Sequence, residues 1–146
     1  MYLQTLPTVT QVKGGPLSPG RKVFIYGKPT ADAARFNVNL LVGDEFATSD
    51  LALHFDVRFD FGTCQNMLVF NHRNEGKFGD EERITDNFPF VRDQRFELTL
   101  ILKEDCYEIW NMGEFLSSFP HRILPPVPVQ NVHIRGDVVI EKIFYE

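Results

Sequence analysis

Within "LHFDVRFDF", Leu53 to Phe61, three chemically distinct groups stand at every second position: the imidazole of His54, the carboxylate of Asp56 and the guanidinium of Arg58, with Asp60 next in the row. Leu53, Phe55, Val57, Phe59 and Phe61 fill the alternate positions. Successive side chains of a β-strand point to opposite faces, so the stretch predicts a strand with one face in a core and a polar row on the other. Such a row could ligate a metal, support a nucleophile, hydrogen-bond a ligand or simply face water, and the last is commonest for charged strand faces. His-x-Asp offers two kinds of metal ligand, but Arg58 sets a positive charge beside the second, and no further His/Cys pair has ligand spacing. A nucleophile would need a Ser or Cys held beside the histidine. The chain has no G-x-S-x-G elbow, and Cys64 lies in a turn with no local signature. P-loop and dinucleotide fingerprints are absent too.

A hydroxyl-rich ligand suits the row better. Each hydroxyl both donates and accepts, so it is met by a fixed array mixing donors with acceptors. Arg58 only donates, ionised Asp56 only accepts, and His54 and Asn71 do one or both. Salt bridges among such groups hold them in place and lower the ordering cost of binding. An apolar surface for the C–H face of a sugar ring is offered by "GKFGDEERI", Gly76 to Ile84. There Phe78 lies between Gly76 and Gly79, an unusual setting for a core aromatic. Glu81 and Arg83 alternate onto one face, where they can pair with each other and with Arg58.

The elements that must position these residues are strands. Helical periodicity is scarce, whereas "KVFIYG" (22–27), "RFNVNLLVG" (35–43), "LALHFDVRFDF" (51–61), "NMLVFNHR" (66–73), "RFELTLILK" (95–103), "CYEIWN" (106–111), "EFLSSF" (114–119), "NVHIRG" (131–136) and "VVIEKIFYE" (138–146) are rich in β-branched and aromatic residues. Turn signals such as "GKPT", "GDE", "NEGK" and "NMG" bound them. Many short strands at similar spacing predict an all-β sandwich or barrel in a single domain spanning 1–146. "FGTCQ" is short enough for a hairpin, which would make its flanking strands antiparallel neighbours and bring His54, Asp56, Arg58 and Asn71 onto one sheet face. "LPPVPV" (124–129) is expected to be a rigid connection rather than a domain boundary.

Composition narrows the function classes. The 146 residues carry 15 basic and 20 acidic side chains, a net charge of −5, with no basic tract, which argues against a nucleic-acid partner. No apolar run approaches the roughly 18 residues of a membrane-spanning helix, so membrane insertion is not expected. "MYLQTLPTVTQVKGGPL" lacks the charged and apolar regions of a signal peptide, and no Asn-x-Ser/Thr acceptor occurs. The two cysteines, Cys64 and Cys106, are too few for a disulfide framework and are expected to be reduced thiols. A soluble cytosolic protein is the plain expectation.

The spaced residues resemble those of the galectins, β-galactoside-binding lectins whose pattern runs H-x-N-x-R, then V-x-N, then W-G-x-E-x-R. Here the same order reads "HFDVR" (54–58), "VFN" (69–71) and "FGDEER" (78–83). "LSPGRKVFIYGKP", "EFLSSFPHRI" and "IRGDVVIEKIFYE" extend the likeness over nearly the whole chain. The resemblance implies a two-sheet antiparallel jelly-roll sandwich of the galectin or concanavalin kind, with neither enzymatic activity nor a cofactor or metal. It implies a binding site made of His54, Asp56, Arg58, Asn71, Phe78, Glu81 and Arg83. By that likeness His54 and Arg58 meet the axial 4-hydroxyl of galactose, and Asn71 and Glu81 hold the 6-hydroxyl. Arg58, Glu81 and Arg83 form an ionic network that reaches the second sugar. The implied partners are β-galactoside glycans of glycoproteins or glycolipids. Family members of this length are often homodimers, and the resemblance implies a cytosolic protein that leaves the cell without a signal peptide. Two positions depart from the pattern, Asp56 where the family has Asn and Phe78 where it has Trp. They predict a weakened or altered sugar preference, or, as the alternative, a galectin fold that has lost galactose binding and acts through protein contacts.

Overall fold

The computed structural model describes residues 7–123 and 128–146, so the first four residues of "LPPVPV" lie outside the described residues. Among the described residues all regular structure is β. Twelve strands run β1 (Thr8–Gln11), β2 (Lys22–Pro29), β3 (Arg35–Val42), β4 (Asp50–Phe61), β5 (Cys64–Asn74), β6 (Lys77–Phe78), β7 (Glu82–Ile84), β8 (Phe96–Leu102), β9 (Cys106–Asn111), β10 (Glu114–Pro120), β11 (Asn131–Gly136) and β12 (Val138–Tyr145). The nine strands expected from the sequence are all present. The three additional ones, β1, β6 and β7, are two to four residues long, too short to show a period of two.

Antiparallel pairing sorts the strands into two sheets. One has the order β1-β11-β3-β4-β5-β6, with β7 also paired to β5; the other has the order β10-β9-β8-β2-β12. The apolar half of each strand lies between them. Phe36 and Val38 of β3, Leu53, Phe55 and Val57 of β4, and Leu68 and Phe70 of β5 face Ile25, Phe96, Leu98, Leu100, Tyr107 and Ile109 of the second sheet. In β8 the expected inward set, Phe96, Leu98, Leu100 and Leu102, is the buried one. Aromatic rings key the two layers together: Phe36 stacks on Phe96 at 5.4 Å, and Phe90 meets both edge-on at 5.7 and 5.4 Å. Such offset and edge-to-face contacts add about 0.5–1.5 kcal/mol per pair to the area buried. The result is the two-sheet antiparallel jelly-roll sandwich expected.

One hairpin sets the geometry of the polar row. β4 and β5 are joined at Gly62 and Thr63, and Gly62 takes a positive φ of 62°, which glycine adopts without steric cost. The resulting register places His54 directly opposite Asn71 and Asp56 opposite Val69. β3 flanks the other side, with Asn39 opposite His54, Asn37 opposite Asp56 and Arg35 opposite Arg58. The polar face of β4 is not the solvated surface that alternation alone would suggest: residues 51–59 are buried on both sides, and only Asp60 and Phe61 emerge. The reason is position. β4 is an interior strand of its sheet, and polar side chains from β3 and β5 close over it.

Candidate functional site

Asp56 lies at the bottom of this face, fully buried at 0% exposure. Its oxygens are both engaged. Oδ1 accepts from Arg35 Nε at 2.7 Å and from Asn37 Nδ2 at 3.4 Å, and Oδ2 accepts from Arg58 Nε at 2.7 Å. A carboxylate so deep needs this compensation, since an unpaired buried charge costs several kcal/mol. Arg35 and Arg58 are therefore the two partners that accommodate Asp56.

Arg58 carries the network outward. Its Nη2 donates to Glu81 Oε2 at 2.8 Å, and Arg83 donates to Glu81 Oε1 at 2.8 Å through Nε and 2.7 Å through Nη2. The chain Arg35–Asp56–Arg58–Glu81–Arg83 thus alternates in sign from buried floor to exposed rim. Burial works against the charge on Arg58, but hydrogen bonds to Glu81 and Asp56 outweigh it and push its pKa up. Burial likewise opposes ionisation of Glu81, and the hydrogen bonds from Arg58 and Arg83 outweigh that and hold its carboxyl below the usual range. The long, flexible guanidinium of Arg58 has in this way a single orientation before any ligand arrives.

His54 is oriented by a second set of bonds. Its Nδ1 lies 2.5 Å from Asn39 Oδ1. The Asn39 amide group is turned away, donating to Asn37 Oδ1 at 2.8 Å and facing His133 Nδ1 at 3.2 Å. With the Asn39 oxygen facing it, His54 Nδ1 carries the ring proton, and Nε2 is left as an acceptor. Burial, with the fields of Arg35, Arg58 and Arg135 against that of Asp56, lowers the His54 pKa to about 4. His133 is lowered to about 4 by burial and by Arg135 and Arg73. Both values lie below the roughly 6.5 of an unfolded histidine, so on acidification the unfolded chain takes up these protons first. Stability is then constant above about pH 6.5 and falls as the pH drops from 6.5 towards 4. Below that, Glu81 adds a loss of the same sign. Thermal melts between pH 7.5 and 4 should show the melting temperature declining from about pH 6.5, and an unchanged midpoint over that range would refute the neutral histidines.

Asn71 and Phe78 complete the face. Asn71 Nδ2 donates to the Gly79 carbonyl at 2.8 Å, and its Oδ1 accepts from the His72 amide at 2.8 Å and from Arg122 Nη1 at 3.0 Å. The amide oxygen is thereby turned from the groove, and one amide hydrogen stays available. The approach at Gly79 requires glycine, because a Cβ there would run into the His72 ring and Arg122. Phe78, held just before it, is 51% exposed, and its ring meets His54 edge-on at 5.3 Å. All seven residues singled out in the sequence lie on this one face or its rim. Four others take part: Arg35, Asn37 and Asn39 from β3, and Arg122, 51 residues beyond Asn71. The first three had a signal, since "RFNVNLLVG" alternates Arg35, Asn37 and Asn39 onto one face. Arg122 had none.

Cys64 and Cys106 are free thiols, and Arg58 Nη1 approaches Cys64 Sγ at 3.4 Å. Among the described residues no group of three or more His, Cys, Asp or Glu is arranged to hold a metal ion, and no helix is long and apolar enough to cross a membrane.

The family model described as galactoside-binding lectin matches residues 7–145. The chain belongs to the galectin family. Among its galectin relatives, galectin-7 of Mus musculus is 40% identical over 124 residues, 85% of this chain and 86% of that protein. Galectin-4 of Homo sapiens is 35% identical over 142 residues, 97% of this chain but 42% of galectin-4, so the chain spans less than half of that relative. Among solved structures, the galectin LEC-6 of Caenorhabditis elegans superposes with a TM-score of 0.84 at 25% identity, covering 100% of this chain and 94% of that one. Sheep galectin-11, solved in complex with glycerol, gives a TM-score of 0.81 at 22% identity over 98% of this galectin and 99% of its own chain. Galectins are carbohydrate-binding proteins without enzymatic activity, and the site described above is built for hydrogen bonding rather than for a chemical step.

Proposed function

We propose that this galectin is a metal-independent lectin that binds β-galactoside glycans of glycoproteins or glycolipids on the polar face of its first sheet. The observation that carries this reading is the pre-set donor and acceptor array around His54, Arg58 and Asn71, standing beside an exposed aromatic ring. His54 Nε2 accepts a hydrogen bond from the axial 4-hydroxyl, and Arg58 donates one to the oxygen of the same group. The remaining Asn71 amide hydrogen donates to the 6-hydroxyl, which Glu81 also holds. Arg83 and Glu81 extend towards the second sugar. Asp56, with both oxygens engaged beneath Arg35 and Arg58, acts as a positioning residue: it reaches the sugar through the arginines it orients. Because these groups are already bonded to one another, little side-chain freedom is lost on binding.

Phe78 offers the C–H face of the ring a smaller plane than the indole found in the family pattern. Phe78→Trp is expected to tighten lactose binding several-fold, in keeping with about 0.5–1.5 kcal/mol for an aromatic contact. Titration calorimetry checks this, and an unchanged affinity would remove the aromatic platform as a determinant. The exposed Phe78 also favours the alternative, a galectin that has lost galactose binding and works through protein contacts. A glycan array of the wild-type chain and Glu81→Ala separates the two. Signal on galactose-terminated glycans that Glu81→Ala abolishes supports the lectin, and no glycan bound at high protein concentration supports the alternative. Homodimerisation, and export from the cytosol without a signal peptide, are the assembly and localisation that accompany the lectin reading.

A further inference from the structure

We infer that Arg122, on the segment that follows β10, is a positioning residue for recognition of the 6-hydroxyl, acting by fixing the side-chain amide of Asn71. This inference rests on the galactoside reading of the site. Its starting point is a gap between the two short strands that pair with β5. β6 meets β5 at Arg73 and Asn74, and β7 meets it at Leu68, Val69 and Phe70, so Asn71 and His72 fall between the two. Gly79 enters the gap and donates its backbone N–H to the His72 carbonyl at 3.1 Å. The Arg122 guanidinium closes it, so near that a Cβ on Gly79 would lie 3.0 Å from Nη1. The arginine is seated on the core, with its Cζ 4.7 Å from the ring centroid of the fully buried Phe119. A residue just past an edge strand of the second sheet thus reaches a sugar-facing side chain of the first.

Three bonds decide which way the Asn71 amide faces. Its Nδ2 donates to the Gly79 carbonyl at 2.8 Å, while its Oδ1 accepts from the His72 backbone N–H at 2.8 Å and from Arg122 Nη1 at 3.0 Å. Half a turn of the amide would set its hydrogens against those of His72 and Arg122, and its oxygen against the Gly79 carbonyl. Asn71 is only 3% exposed, so groups left unmet there are costly. Of the two bonds that hold Oδ1, the one from Arg122 is charge-assisted, and such bonds are roughly twice as strong as neutral ones. By drawing electron density towards Oδ1 it also polarises the N–H that remains for the sugar, making it a better donor. Arg122 Nη1 faces His72 Nδ1 as well, at 3.2 Å. Burial and Arg122 hold the His72 pKa below its ordinary value, so that ring nitrogen accepts rather than competes. Nη2 is directed to Glu82 Oε2 at 3.4 Å.

The test compares lactose with lactose deoxygenated at C6 of galactose, which lacks only the hydroxyl that Asn71 meets, by NMR chemical-shift titration of wild type and Arg122→Met. Methionine keeps the aliphatic stem over Phe119 but cannot donate. Lactose is expected to bind the variant about fivefold more weakly, as suits the loss of about one hydrogen bond. The deoxy sugar should bind both proteins alike, because it does not use the amide. Glu82→Gln, which removes the ion pair and leaves Arg122 beside Asn71, should bind lactose as wild type does. Without any ligand, the Asn71 side-chain hydrogens should exchange with solvent faster in Arg122→Met than in wild type. Should that variant fail to fold, Arg122→Gln, too short to reach Asn71, takes its place with the same expectations. Equal weakening for both sugars, undiminished lactose binding or an unchanged exchange rate overturns the inference and leaves the galactoside reading intact. A matching loss in Glu82→Gln does the same, since it assigns the effect to the ion pair instead of the amide. If the deoxy sugar binds neither protein measurably, the exchange rate decides. If wild type binds no lactose, the galactoside reading fails and the inference falls with it.

Discussion

Arg58→Met is expected to abolish lactose binding, with an affinity loss of about 100-fold or more, while the chain stays folded. Arg58 is the one side chain that touches both carboxylates of the network, at 2.7 Å from Asp56 and 2.8 Å from Glu81. Removing it takes away the donor assigned to the axial hydroxyl and releases Glu81 from one of its two guanidiniums. Hydrogen bonds to charged groups contribute about 1.5–3 kcal/mol each, and two of them correspond to a factor of at least 100. The fold should survive because neither carboxylate is orphaned: Asp56 keeps Arg35 and Glu81 keeps Arg83. Methionine retains the length of the aliphatic stem. Calorimetry with lactose, beside circular dichroism to verify folding, makes the comparison. A folded Arg58→Met protein that binds lactose within tenfold of wild type would show that the guanidinium is not the principal contact.

The second large effect concerns stability. Asp56→Ala should cost about 3–5 kcal/mol, because it leaves Arg35 and Arg58, opposite one another in the register, without the buried carboxylate that separates their charges. For a chain of this size that lowers the melting temperature by roughly 10 °C. Asp56→Asn restores the residue of the family pattern and keeps an acceptor for Arg58, so its cost should be smaller, about 1–2 kcal/mol, carried mainly by the loosened Arg35. The order Ala worse than Asn, measured by thermal or denaturant unfolding, is the diagnostic result. If Asp56→Ala melts within 2 °C of wild type, the carboxylate is not what holds the two arginines.

Much of this was readable from residue types alone. Period-two alternation marked the nine longer strands, and the Gly-Thr turn between β4 and β5 was short enough to make them a hairpin, so the shared face of His54 and Asn71 followed from local signals. Alternation, however, says which side chains share a face and not what covers that face. The burial of His54, Asp56 and Arg58 comes from β3 and β5 closing in on an interior strand, which is a matter of register across the sheet. For the same reason Arg35, Asn37 and Asn39 were visible as an alternating set while their pairing with Asp56 and His54 was not. Arg122 reaches Asn71 from a segment that is remote in sequence, and the clustering of Arg73 and Arg135 about Phe46 joins residues from three separate segments.

Recognition of the axial 4-hydroxyl by His54 and Arg58 is tested most directly by titrating the wild-type chain with lactose and with cellobiose, which differ only in configuration at C4 of the non-reducing sugar. Lactose is expected to bind with a dissociation constant below about 1 mM, and cellobiose to give no measurable heat at the same concentrations. Equal binding of the two disaccharides, or no binding of lactose by folded protein, would contradict galactoside recognition at this site.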